Sequence, residues 1–223
     1  MSLELSGTTP AIKGVAGSVS APAITGDDAD TGISFPSADT IKFSTNGVER
    51  MSITNSGVTG TGIGAGKILQ VVSTTYTGQT TVAVEAAGVN LTGMARTITP
   101  TAANSKILIA VDVNFTASQA NFTSWINLRR GGSVITGAQG TNMNTNQNAS
   151  FKSQRVSGGD VPEVMAGTYL DTPSYTLGDT LTYQVYFHQE GGSTAYINFM
   201  GSNSAVAYFT RFVSTQTLFE VAA

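Results

Sequence analysis

The 223-residue sequence contains no cysteine and few charged residues. Without cysteine, the chain has neither disulfide bonds nor thiolate-ligated metal sites. Only 11% of the residues are charged, and a net charge of −3 does not provide the basic stripe that nucleic-acid binding needs. We therefore expect no nucleic-acid partner, and the sequence indicates no cofactor and no metal.

Long apolar runs are also missing. No stretch of about 18 apolar residues is present, so we expect no membrane insertion. The N-terminal sequence MSLELSGTTPAIKG has neither the basic region nor the apolar region of a signal peptide, so we expect no secretion signal.

Residues 31–60 contain three strand-sized pieces, GISF, TIKFST and VERMSIT, which are separated by turn signals such as Asn46-Gly47. Ordering about 30 residues costs about 45 kcal/mol, whereas each large apolar side chain contributes only about 1.5 to 3 kcal/mol when fully buried. One copy is therefore not expected to fold alone. The pattern favours a shaft in which identical chains, most simply three, wrap around a common axis.

The same segment resembles a sequence that recurs in tail fibres and other appendage proteins of tailed bacteriophages, especially those of cyanobacteria and other aquatic bacteria. In those proteins DTG is followed by an aromatic strand and then by D-x-I-x-F-x-T-x-G-x-x-R-M-x-I. The longer Gly-rich repeat that often follows is reduced here to the residues 60–64. The matching positions are Asp30, Thr31, Gly32, Asp39, Ile41, Phe43, Thr45, Gly47, Arg50, Met51, Ile53 and Gly57.

Residues 67–223 show the period-two alternation of half-buried strands. About eight to ten such strands separated by Gly and Asn turns predict an antiparallel sandwich of jelly-roll type. The inward residues predicted for the three clearest strands are Ile107, Ile109, Val111, Val113 and Phe115, then Leu181, Tyr183, Val185 and Phe187, and finally Val213, Thr215, Thr217, Phe219 and Val221.

This region also resembles the C-terminal domain of such phage fibres, in the runs GKILQVVSTTY, ARTITPTAANSKILIAV, TLGDTLTYQVYF and TLFEVAA. Its layout is similar to the trimeric jelly rolls of the complement-globular and tumour-necrosis-factor type. The predicted organisation is an attachment segment at 1–26, an intertwined β shaft at 27–60, a Gly-rich linker at 61–66 and a jelly-roll head at 67–223.

The best candidate for a binding loop is GAQGTNMNTNQN, because Asn and Gln amides offer both donors and acceptors to sugar hydroxyls. Trp125, the only tryptophan, could stack on a sugar ring or pack in an interface. The candidate binding residues are Trp125, Gln139, Asn142, Asn144, Asn146 and Gln147.

More than half of the Tyr and Phe residues follow residue 180, which is more than one small sandwich core needs. A three-fold interface would cover the excess, although packing within one subunit is the rival explanation. The candidate interface residues are Phe35, Phe43, Met51 and Ile53 in the shaft and Tyr186, Tyr196, Phe199, Tyr208 and Phe212 in the head.

Catalysis is not expected. His188, the only histidine, is predicted to be exposed or in a subunit contact, and no G-x-S-x-G elbow accompanies it. A glycosidase needs two carboxylates across a groove. The acids spaced so that a pair could meet are Asp160, Glu163, Asp171 and Asp179.

These features and resemblances together predict a non-enzymatic virion protein, a homotrimeric fibre assembled in the host cytoplasm. Its residues 1–26 would bind other virion proteins, and its head would contact a polysaccharide or protein of the host surface. The alternatives are a short decoration fibre on the phage head or neck, a polysaccharide-depolymerase fibre, and a bacterial trimeric binding module unrelated to virions.

Overall fold

The computed structural model describes residues 16–60, 66–83, 88–142, 148–201 and 210–223. The chain divides into two compact units, Met1–Lys67 and Ile68–Ala223, and their boundary falls one residue after the predicted start of the head. The described residues form β-strands and two short 3-10 turns. Within this part of the chain, no helix has the length and apolar composition needed to cross a bilayer.

The first unit is a five-stranded antiparallel sheet in which each strand pairs with the next one along the chain. Three of its strands match the predicted pieces. The β3–β4 connection is Asn46-Gly47, with φ of 53° and 67°, as a two-residue hairpin turn with left-handed residues requires. The strands are β1 (Ile24–Thr25), β2 (Gly32–Ser34), β3 (Ile41–Thr45), β4 (Val48–Thr54) and β5 (Gly57–Thr59).

One face of this sheet is apolar, and we call it the shaft face. Cross-strand pairs place side chains on the same side of a sheet, so the registers of β1 to β5 align two apolar rows. No apolar side chain among residues 16–60 is fully buried. The rows are Ile24, Ile33, Phe43 and Met51, and then Ile41, Ile53 and Val58.

The described residues of the second unit form twelve strands and the two 3-10 turns, Thr92–Met94 and Thr136–Ala138. The strands are β6 (Ile68–Tyr76), β7 (Thr80–Val82), β8 (Val89–Asn90), β9 (Arg96–Ile98), β10 (Lys106–Ala117), β11 (Thr123–Arg130), β12 (Ser133–Val134), β13 (Lys152–Arg155), β14 (Glu163–Asp171), β15 (Leu181–Gln189), β16 (Ala195–Ile197) and β17 (Ser214–Val221).

The strand order of the second unit confirms the predicted jelly roll. One sheet runs β6-β17-β10-β14, with β16 and β7 extending it, and the other runs β9-β15-β11-β13, with β8 and β12 at its margins. If the eight principal strands are lettered A to H in chain order, the sheets read A-H-C-F and B-G-D-E. This is the order of a jelly roll, and all the pairings are antiparallel.

The core lies between the two sheets. The alternating residues predicted inward on β10 are all buried, as are Tyr183, Val185 and Phe187 on β15. Phe115 and Phe187 meet edge to face across the core, with ring centroids 5.1 Å apart. The binary pattern of these two strands therefore determined which of their faces points inward.

The phase predicted for β17 was wrong. Ser214, Gln216, Leu218 and Glu220 are the buried residues, whereas Val213 is 46% exposed. The register with β6 and β10 turns the polar set inward, and hydrogen bonds compensate part of its burial. Ser214, for example, donates to the Asn198 side-chain oxygen at 2.7 Å.

The Glu220 carboxylate is fully buried and receives five hydrogen bonds. One oxygen accepts from the backbone N–H groups of Thr101 and Ala102 at 2.9 and 3.1 Å and from the Ser105 hydroxyl at 2.8 Å. The other accepts from the amide of Gln70 at 2.8 Å and from the Thr101 hydroxyl at 3.0 Å. Burial alone raises the pKa of Glu220, but these hydrogen bonds outweigh it and hold the pKa below its ordinary value.

Candidate functional site

Trp125 lies on β11, half-buried on the face of its sheet that points away from the core. Its neighbours in register are His188 on β15 and Ser153 on β13. The His188 ring stacks on the indole with centroids 5.1 Å apart and planes inclined by 10°. One side of the tryptophan is therefore covered by histidine, and a small serine stands on the other side.

His188 was predicted to be exposed or in a subunit contact. The exposure was wrong, since the residue is only 4% exposed within one chain, and the subunit contact stays a prediction. Its strand face points away from the core, but Trp125 and the backbone at Gly88 cover it locally. Gly88 has φ of +76°, and a Cβ there would collide with the imidazole. Burial, and secondarily the charge of Arg129, lowers the pKa of His188 and favours the neutral ring.

Beside Trp125 the structure has an open cleft of about 300 Å³. The carboxylate of Glu190, which follows β15, accepts a hydrogen bond from the Thr123 backbone N–H at 2.6 Å, and the Glu190 N–H donates to the Thr123 carbonyl at 2.9 Å. This reciprocal pair fixes Glu190 at the rim of the cleft. The lining residues are Thr123, Trp125, Asn148, Ser150, Ser153 and Glu190.

Of the predicted binding residues that the structure describes, only Trp125 lines this cleft. The Gln139 amide donates to the Ala149 carbonyl at 3.2 Å and so supports the loop, while Asn142 is exposed elsewhere on it. Asn144, Asn146 and Gln147 lie outside the described residues. Asn148, the last residue of the predicted binding loop, also lines the cleft. Sequence reasoning missed the four other lining residues, because cross-strand register and chain folding bring them to Trp125.

The predicted interface residues of the shaft fall together. Phe43, Met51 and Ile53 belong to the shaft face, and Phe35 lines a shallow groove with Ile41 and Ile53. Phe35 remains 39% exposed. The first unit therefore brings all four residues to one partly exposed apolar surface.

Among the predicted interface residues of the head, Tyr186 on β15 lies in a different sheet from Tyr196 on β16. Tyr186 carries the Arg129 guanidinium 3.7 Å from its ring centroid. Tyr196 packs edge to face on Phe199, and Phe199 is only 7% exposed, so intrachain packing leaves almost none of its surface for another subunit. Phe212 is half-buried, and Tyr208 lies outside the described residues.

The head instead presents a different apolar surface, which sequence reasoning missed. On the outward face of the A-H-C-F sheet, the registers align four apolar residues of four adjacent strands, and we call this set the head row. Val71 is 54% exposed and Leu170 is 43% exposed. The head row consists of Val71, Phe219, Leu108 and Leu170.

None of the four candidate acids lines the cleft. Asp171 is buried, pairs with Arg130 and accepts a hydrogen bond from the Tyr183 hydroxyl at 2.7 Å, so it stabilises the sandwich. Among the residues that line the cleft, Glu190 is the only carboxylate. The described part of the chain contains no group of three or more His, Cys, Asp or Glu residues placed to hold a metal.

Fold and surfaces thus define an all-β protein with a strand meander followed in sequence by a jelly roll. No protein-family model and no curated protein sequence matches the chain. The solved structures similar to it include infectious bursal disease virus, Gt strain, with 13% identity and a TM-score of 0.34 over 82% of this chain and 48% of that chain.

A viral particle of the same virus shows 12% identity and a TM-score of 0.34 over 82% of this chain and 45% of that one. A mutant VP2 protein of the virus, in derived T=1 particles, shows 14% identity and a TM-score of 0.33 over 90% and 48%. The chain spans about half the length of these proteins. Similarities of this size do not assign a function to it.

Proposed function

We propose that this chain is a homotrimeric structural protein of a tailed-phage virion, a fibre without catalytic activity. Residues 1–26 attach it to the particle, the shaft holds the three copies together, and the head meets the host surface. The resemblance of residues 30–57 to phage appendage segments supports the virion assignment. The partly exposed apolar shaft face supports the trimer, and it is the observation that carries the proposal.

The described residues 16–60 cover the shaft face only in part. Val58 is 46% exposed and Ile24 is 42% exposed, and no apolar side chain among residues 16–60 is fully buried. Burial of apolar side chains supplies most of the free energy that offsets the loss of backbone entropy on folding. A sheet whose apolar side is not fully covered gains little of this free energy. Identical copies solve this problem, because each copy brings a matching apolar face of the same length.

The head row is a second exposed apolar surface that contact with other copies would cover. Monomeric proteins seldom leave a continuous apolar row on the outside of a sheet uncovered. Val71, Phe219, Leu108 and Leu170 are flanked by small or hydroxylated residues such as Ser73, whose hydroxyl lies 2.8 Å from that of Thr217. A row of this kind suits close contact with the same surface of two further copies.

Trimerisation would also explain how a weak contact on the head could attach a particle. Three identical heads on one fibre present three sites to one surface, so the avidity exceeds the affinity of one site. The single carboxylate of the cleft beside Trp125 favours binding over cleavage, since glycoside hydrolysis ordinarily needs two carboxylates.

The test combines the particle and the purified chain. Mass spectrometry of purified virions is expected to find this protein in a copy number divisible by three, and sedimentation of the chain is expected to give about 69 kDa, three times 23.0 kDa. Virions that lack the protein would refute the virion assignment. A compact monomer at micromolar concentration would refute the trimer.

A further inference from the structure

The cleft beside Trp125 combines an aromatic ring with polar side chains on a surface where no function is assigned. We propose that it binds one neutral hexose or N-acetylhexosamine unit of a surface polysaccharide. This inference rests on the proposed role of the head as the part that meets the host. It adds the chemical class of the ligand and the residues that hold it.

The aromatic part of the site is the Trp125 ring. His188 stacks on one side of the indole and holds its orientation, while Ser153 in register on β13 is too small to cover the other side. His188 is itself fixed by burial and by Gly88. A rigid ring bordering an open cleft is suited to the apolar C–H face of a pyranose, because an aromatic ring offers large contact area at little entropic cost.

The polar part of the site lies around that ring. One oxygen of Glu190 is held by the Thr123 N–H, and its other oxygen has no hydrogen-bond partner among the described residues. That second oxygen can accept from a sugar hydroxyl. Ser150, Ser153 and Asn148 add hydroxyl and amide groups that both donate and accept hydrogen bonds. Such groups suit a sugar, because each sugar hydroxyl is itself both a donor and an acceptor.

The volume of the cleft and the charge of its lining residues restrict the class of ligand further. A volume of about 300 Å³ is at the small end of ligand sites, which suits one or two sugar rings and not a larger ligand. Glu190 carries the only formal charge among the lining residues. Because a carboxylate repels anions at short range, uronic acids and sialic acids are disfavoured.

Trp125 is the only tryptophan in the chain, so its fluorescence reports on this site alone. The full-length protein is titrated with cellotriose, maltotriose and chitotriose, and with trigalacturonate as the anionic comparison. At least one neutral trisaccharide is expected to give a saturable change, with a Kd of about 1 mM, and trigalacturonate none. A flat response to all three neutral sugars up to about 20 mM, or saturation by trigalacturonate alone, overturns the proposal.

Two variants locate the binding. Glu190→Gln keeps an acceptor for Thr123 but removes the charge, and it is expected to weaken binding about tenfold. Asp179→Asn makes the same chemical change at an exposed turn outside the cleft and is expected to bind as the wild type. Binding by Trp125→Phe is followed by saturation-transfer NMR and is expected to be weaker, since the smaller phenyl ring covers less of the sugar. Unchanged binding by both Glu190→Gln and Trp125→Phe would place the sugar elsewhere and overturn the assignment.

These outcomes are separate from those of the proposed function. A head that binds no sugar still leaves the fibre intact if sedimentation shows a trimer and virions contain the chain. Conversely, if the protein is a monomer that binds a neutral sugar at Trp125, the sugar site is supported and the trimeric fibre is refuted.

Discussion

Phe35 gives the sharpest test of the shaft. Its side chain follows β2, lines the groove on the shaft face with Ile41 and Ile53, and is 39% exposed in one chain. We expect Phe35→Ser to dissociate the trimer at concentrations where the wild type is fully assembled. The substitution removes the phenyl ring that the neighbouring copies would cover in the trimer.

The magnitude follows from the exposed area. An aromatic side chain has about 200 Å² of accessible surface, so 39% exposure leaves about 80 Å² to be covered by neighbours. At about 25 cal/mol per Å², this contributes about 2 kcal/mol per subunit and about 6 kcal/mol per trimer. Such a loss lowers the trimer formation constant by about 10⁴, which raises the concentration of half-assembly about 100-fold.

Sedimentation velocity across a dilution series measures that concentration. Leu177→Ser is the matched control, because Leu177 is 56% exposed but lies between β14 and β15, outside the shaft face and the head row. The control is expected to assemble as the wild type does. Equal assembly of Phe35→Ser and the wild type would refute the reasoning, as would equal weakening by both variants.

Glu220→Gln replaces a carboxylate oxygen with an amide group that faces hydrogen-bond donors. We expect the free energy of unfolding to fall by about 2 to 4 kcal/mol. Calorimetry is expected to show a fall of about 5 to 10 °C in the melting temperature of the head. Because the folded pKa of Glu220 lies below its ordinary value of 4.5, its contribution is present at neutral pH and is lost as the pH falls from 4.5 through the depressed pKa. A variant as stable as the wild type at pH 7, or an unchanged acid transition, would contradict this role. Gly47→Val puts a β-branched residue at φ of +67° and is expected to destabilise the β3–β4 hairpin by about 1 to 3 kcal/mol, seen as faster amide exchange in both strands. Gly26→Val, at a glycine with open space and no positive φ, is the control, and equal exchange in the two variants would argue against the turn.

Much of the site lay beyond sequence reasoning. Trp125 could be singled out because it is the only residue of its kind, and His188 was placed on the correct strand face. The cover over His188 could not be predicted, because it depends on Gly88 and Trp125 meeting it from distant parts of the chain. Glu190, Ser150 and Ser153 carry no motif and become neighbours of Trp125 only through chain folding.

The β17 error has a related cause. Alternation gives two possible faces, and the more apolar one was assigned inward. The pairing with β6 and β10 selects the other face, since Glu220 finds donors at Thr101, Ala102 and Ser105. Because neighbouring side chains on a strand alternate, Phe219 then points to the outer surface and belongs to the head row.

The sequence by itself determined most of the longer strands, the Asn46-Gly47 turn, the apolar residues of the shaft and the jelly-roll class, because these depend on local backbone preference and on period-two alternation along the chain. Only the tertiary structure decided the phase of β17, the head row and the cleft beside Trp125. The physical reason is that cross-strand register brings residues from distant segments together, and such segments supply the hydrogen-bond partners of buried polar side chains such as Ser214 and Glu220.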